Sequence, residues 1–239
     1  MENLLRLLSF GPGGWGDELL AGLGVTLALA LATLPFGLAF GLGVALMQRS
    51  RLPALRGLAQ AYSNLFRGLP ELLTLFIVYY GGQMLLNRLL GLVAPGVAVE
   101  IGPFAAGVTA LALVFGAYAA EVFAGALGGL PRGQREAALA LGLPPGLAFR
   151  LVELPQLWRL ALPGLANCWA VLLKDTALVS TIALSDLMRE TQIAVGATRQ
   201  PFTFYLVACL IYVALALVSS AITVRLQARA ERGVRFAGR

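Results

Sequence analysis

LLAGLGVTLALALATLPFGLAFGLGVALM, residues Leu19–Met47, contains no charged side chain. A helix needs about 20 mostly apolar residues to cross the hydrocarbon of a bilayer, so this run is long enough for one tilted span. The rest of the chain agrees. Of its 239 residues 59% are apolar and only 13% charged, where soluble domains carry roughly 25% charge. A folded domain of this size exposes too much surface to hide that deficit in a core, so part of its solvent is lipid. Four further candidate spans follow at about 69–87, 101–122, 160–184 and 202–224. Glu71 stands near the start of the first of these, Glu100 and Glu121 bracket the uncharged part of the next (Ile101–Ala120), and Lys174-Asp175 interrupts the third. The expectation is an all-α integral membrane protein of five transmembrane helices, one domain over residues 1–239.

Five spans put the termini on opposite sides, and arginine placement decides which is which. With the N-terminus outside, thirteen arginines fall inside: Arg49, Arg51, Arg56 and Arg67; Arg132, Arg135, Arg150 and Arg159; and Arg225, Arg229, Arg232, Arg235 and Arg239. Arg6, Arg88, Arg189 and Arg199 remain outside. The formal charge of +6 is thus a set of orienting clusters between uncharged runs, not a nucleic-acid surface. The chain contains no His, which excludes His-based zinc sites, Ser-His and Cys-His nucleophiles and imidazole relays. Cys168 and Cys209 lie in apolar stretches without Cys-x-x-Cys spacing and read as small packing residues. Leu4, Leu5, Leu7 and Leu8 around Arg6 are too short for a signal peptide and read as an interfacial helix. Gly37, Gly41 and Gly43 beside Pro35, with Gly107 and Gly116, suit close helix approach in lipid.

Between the third and fourth spans, about 131–158, lies a polar loop with its own helical signals. Pro131 precedes the strong helix formers Gly133-Gln134-Arg135-Glu136-Ala137-Ala138-Leu139-Ala140-Leu141, and Gly142 suits a left-handed cap. Pro144-Pro145 breaks the chain and opens a second helix through Leu151, which Leu154-Pro155 is expected to end.

These residues resemble a known signature. Glu136-Ala137-Ala138, Gly142, Val152 and Leu154-Pro155 are similar to the EAA loop of ABC-importer permeases, with Val152 in place of the usual Ile. Arg67-Gly68-Leu69-Pro70-Glu71-Leu72-Leu73 with Tyr79-Tyr80-Gly81, Ala117-Tyr118-Ala119-Ala120-Glu121-Val122-Phe123 with Leu130-Pro131-Arg132-Gly133-Gln134, and Leu173-Lys174-Asp175-Thr176-Ala177-Leu178 resemble the span motifs of the polar amino-acid permeases of that family. The resemblance covers about residues 20–230 and departs from the family at Ala124, where an arginine is usual. It implies a type I ABC-importer (MetI-like) permease fold in the bacterial cytoplasmic (inner) membrane, with an EAA loop that couples to a separate ATPase. The implied partners are two copies of that ATPase, a second permease chain, identical or homologous, and an extracytoplasmic amino-acid-binding protein. ATP and Mg would sit on the ATPase, and no cofactor on this chain. The implied coupling residues are Glu136, Ala137, Ala138, Gly142, Leu154 and Pro155. The outer segment Ser185–Pro201 is either a contact for the binding protein or a solvated connector.

The chain has no P-loop of its own, because its only lysine, Lys174, follows an apolar run and precedes Asp175. Ionisable residues at bilayer depth are costly and mark functional positions. An amino acid in transit needs an anion for its ammonium, and Asp175 with Thr176 is the leading candidate, followed by Glu121; Tyr118 and Gln83 are candidate path residues. The alternative is internal pairing, Arg67 with Glu71 at i,i+4 or Lys174 with Glu121 across spans. Two other functional classes compete. An ion-driven secondary transporter would be expected to show internal repeats, for which five spans leave little room. A non-transporting scaffold would not need acids at bilayer depth.

Overall fold

The computed structural model describes residues 7–11, 13–93 and 99–230. Its regular elements are helices: α1 (Gly16–Gln48), α2 (Pro53–Gly68), α3 (Glu71–Phe76), α4 (Gly82–Val93), α5 (Pro103–Gly128), α6 (Arg132–Ala140), α7 (Pro145–Ala148), α8 (Leu154–Asp175), α9 (Leu187–Thr198) and α10 (Pro201–Ala230). π turns at Ile77–Gly81 and Phe149–Glu153 join α3 to α4 and α7 to α8 without a break, and a 3-10 segment, Thr176–Ile182, prolongs α8. The anticipated interfacial helix at Leu4–Leu8 and the arginines beyond Ala230 fall mostly or wholly outside the described residues.

Among the described residues, four helical stretches are long and apolar enough to cross a membrane: α1, α5, Pro145–Ile182 and α10. The fifth candidate is a bent pair, α2 with α3–α4, turned by 111°. The span expected at 69–87 falls on the second arm, Glu71–Val93, and the bend stands at its start. Pro70 disfavours the helical region at the residue before it, and Leu69 is accordingly extended at φ −88°, ψ 143°. Helix resumes at Glu71 and runs to Val93. Arg56 and Arg67, expected on a loop, stand on α2, which Pro53 opens at its first turn.

A second correction concerns Leu154-Pro155. The chain does not stop there; Pro145–Ile182 is one helical rod. Proline brings no N–H to the helical ladder, and the wider π turn at Phe149–Glu153 lies directly before it, so Pro155 occupies a first-turn position of α8 where a donor is not required.

The core is the seam between α1 and α5, where small residues replace the hydrophobic effect as the means of association in lipid. A Cβ on Gly37 would stand 2.5 Å from Phe115 Cδ1, and one on Gly41 only 2.8 Å from Ala119 Cβ and 2.9 Å from the Gly116 carbonyl. Gly107 meets Val179 of the 3-10 segment in the same way, at 2.9 Å. Gly43 takes no part and faces open space. α1 passes through Pro35 as a continuous helix. Its buried hydroxyls are satisfied locally: Thr26 Oγ1 donates to Gly22 O at 3.0 Å, and Thr33 Oγ1 to Leu29 O at 2.8 Å. At the end of the bundle remote from Arg49 and Arg132, α9 packs on α1 and α10 through Leu19, Leu187, Ala194 and Phe204. α10 itself is mostly exposed apolar surface.

Candidate functional site

Side chains four apart on a helix share a face, and α8 presents Asn167, Val171 and Asp175 in that register. Facing them are Leu111, Val114, Phe115 and Tyr118 of α5, and together with Cys168 and Leu172 these residues enclose a cavity of about 160 Å³. Asp175 and Tyr118, two of the residues singled out from sequence, therefore share one chamber. Glu71 stands on the first turn of α3. Asn167 escaped the sequence reading, although its position two turns before Asp175 on the same apolar helix was the available signal.

The other three path candidates stand elsewhere. Thr176 is fully buried, with Oγ1 donating to Leu173 O at 2.7 Å. Gln83 accepts from the Ile101 amide at 2.6 Å and donates to the Val99 carbonyl, tying α4 to the segment that leads into α5. Glu121 is held by Arg67 at 3.4 Å and by Gln48 Nε2, which donates at 3.2 Å and also reaches Ser63 Oγ at 3.1 Å. Neither pairing considered from sequence forms. The 111° bend separates Arg67 from Glu71, and Lys174 is exposed while Arg67 takes Glu121. The Arg67 guanidinium also lies 6.0 Å from the centre of the Tyr118 ring, within cation–π reach. One arginine at the helix bend thus connects a wall of the chamber to the α1–α5 seam.

At the arginine-rich end, α6 projects from the bundle. It closes with a Schellman motif: the Leu143 amide donates to Ala138 O at 3.2 Å and the Gly142 amide to Leu139 O at 3.0 Å. Gly142 sits at φ +81°, the left-handed conformation a side chain would strain. Glu136 and Ala137 face outward, and Ala138 is buried beneath them. Around them Leu139, Leu147 and Leu151 are exposed, and Leu141 is 83% exposed. Leu154 is half-buried and Pro155 exposed at the head of α8. Under α6 lies a cavity of about 250 Å³, walled by Leu127, Leu130 and Pro131 together with Arg49, Gln134, Arg135, Glu136, Glu153 and Gln156. Arg135 Nε meets Glu153 there at 3.4 Å, and Arg49 donates to Leu127 O at 3.3 Å, covering a carbonyl near the end of α5.

Ser185–Pro201, expected outside the spans, contains α9. Asp186 caps it, accepting from the Arg189 amide at 3.0 Å. Asp186 is completely buried, and its second oxygen has no hydrogen-bond partner among the described residues. That burial pushes its carboxyl up to about 6, against the opposing pull of the Arg189 and Met188 amides.

Residues 37–235 match the family model described as the binding-protein-dependent transport system inner membrane component. The nopaline transport system permease protein NocQ of Agrobacterium fabrum is 42% identical over 232 residues, covering 97% of this chain and 98% of that one. The arginine ABC transporter permease protein ArtQ of Escherichia coli is 41% identical over 221 residues, 87% of this chain and 93% of its own. Among solved structures, a chain of an amino acid ABC transporter with histidines superposes with a TM-score of 0.76 at 32% identity, covering 90% of this chain and 95% of that one. A chain of the MetNI methionine ABC transporter in an inward-facing form shares the fold, with a TM-score of 0.74 at 20% identity over 90% and 97% of the two chains.

Proposed function

The chain belongs to the family of binding-protein-dependent transport system inner membrane components, and from that membership we propose that it is the membrane permease subunit of an ATP-driven importer of polar and basic amino acids. Its N-terminus lies outside and its C-terminus in the cytoplasm, as the arginine distribution favours. α6 docks on a separate ATPase that holds the ATP and Mg. A second permease chain completes the path, and an extracytoplasmic binding protein delivers the solute to the end that carries α9.

The observation that carries this reading is mechanical. An exposed, capped helix bearing Glu136 at the arginine-rich end connects through a Gly/Pro elbow to one rod, Pro145–Ile182, which bears Asp175 in the chamber inside the bundle. Displacing α6 displaces α8, a rigid-body device. At the far end Asp175 supplies the anion that an α-ammonium or a basic side chain requires, and Asn167 and Tyr118 add neutral polar groups beside it.

Purification of the tagged chain in mild detergent from its native host, with mass spectrometry of stoichiometric partners, tests the proposal. A P-loop ATPase is expected in the complex, and Glu136→Lys is expected to lose it while the chain still reaches the membrane. Retention of the ATPase by Glu136→Lys would remove α6 from the interface. Solute uptake on an ion gradient in membranes free of the ATPase would overturn the importer reading altogether.

A further inference from the structure

The backbone joins α6 to α8 only through the elbow at Gly142–Pro145, where a left-handed glycine and two prolines interrupt the helical ladder. The helical ladder is not continuous there, so what bridges α6 and the start of α8 helps to fix their relative placement. A second connection spans the elbow. Arg135, in the second turn of α6, forms an ion pair with Glu153, the last residue of the π turn that leads into α8. Glu153 is only 8% exposed. A carboxylate so enclosed demands a cation, because removing one partner of a buried pair leaves an uncompensated charge. Arg135 is the cation that reaches it, from the half-exposed side.

We infer that Arg135 and Glu153 are positioning residues of the coupling machinery: their ion pair closes the triangle formed by α6, the elbow and the start of α8, so that the coupling helix and the rod move as one body. The pair touches neither solute nor nucleotide. It braces a non-helical elbow, so that α8, a 22-residue arm, carries motion about 33 Å from the π turn to Asp175. Arg49 bounds the same cavity from α1's side and holds the end of α5 through the Leu127 carbonyl. The inference rests on the reading that α6 docks on an ATPase.

The test uses the assembled transporter, permease with ATPase and binding protein, reconstituted in liposomes, and compares solute imported with ATP hydrolysed. Glu153→Gln removes the charge at constant shape. It is expected to keep stoichiometric ATPase and hydrolysis within about twofold, while solute moved per ATP falls about tenfold, an effect on the ratio that a mere loss of folded protein does not produce. The exchange Arg135→Glu with Glu153→Arg is expected to recover most of that ratio, while each single charge reversal does not. Should Glu153→Gln fail to assemble, Arg135→Gln, altered on the exposed side, reads the same ratio. An unchanged ratio with the ATPase in place would overturn the inference, as would a proportional loss of import and hydrolysis or an exchange no better than its single reversals. Absence of any ATPase from the unaltered complex would instead remove the docking reading, and this inference with it.

Discussion

Two aspartates in this chain show how environment divides one side-chain type into two roles. Asp175 opens into a chamber shared with Tyr118 and Asn167, the place proposed above for the solute's ammonium. Asp175→Asn is expected to lower import at least tenfold while leaving partner assembly intact, since an amide cannot compensate a cation at that depth; reconstituted uptake measures it, and undiminished uptake of basic solutes would displace Asp175 from the path. Asp186 is enclosed, one oxygen capping α9 and the other without a hydrogen-bond partner among the described residues. With its folded pKa raised from 3.8 to about 6, the folded chain holds a proton that the unfolded chain has lost between those values. Stability from this group is therefore full below about pH 4 and falls as pH rises through 6. Unfolding midpoints in detergent should drop between about pH 4 and pH 7, and Asp186→Asn, which keeps a capping oxygen, should shrink that drop. An unaltered drop in the variant would assign it to other groups.

At the scale of elements, the decisive contacts are those that lack side chains. α1 approaches α5 closely because Gly37, Gly41 and Gly116 leave backbone against backbone. Gly41→Val forces atoms into Ala119 and the Gly116 carbonyl, and should cost about 1–3 kcal/mol as overpacking does. Gly43→Val on the same helix, pointing into open space, should be close to neutral. Comparing the thermal stability of the two variants separates the effect of the seam from generic helix propensity. The periodicity of small residues made this seam legible in advance, whereas the bend at Leu69-Pro70 was hidden because the first arm, with Arg56, Gln60, Asn64 and Arg67, reads as a polar loop and not as a helix. The rod through Pro155 was misjudged for the opposite reason. Proline reads as a stop, and the π turn that accommodates it has no composition of its own.

At the scale of the molecule, five apolar segments, the arginine asymmetry and the spacing from Glu136 to Pro155 carried the fold class and family, because lipid and a coupling helix both impose patterns along the chain. The chamber was half legible. Asp175 and Tyr118 announced themselves as polar groups at bilayer depth, but pairings across the bundle, Arg67 to Glu121 and Arg135 to Glu153, depend on where a bend and an elbow send each helix, and no local pattern encodes that.

The seam between α1 and α5 also sets a schedule. Residues 49–102 must be synthesised before α5 emerges, roughly 3–10 s at ordinary translation rates. Throughout that interval the glycine face of α1 has only lipid or an insertase to lie against. The newborn chain thus passes through a stage, between the synthesis of α1 and that of α5, in which its tightest packing surface is made but not yet matched.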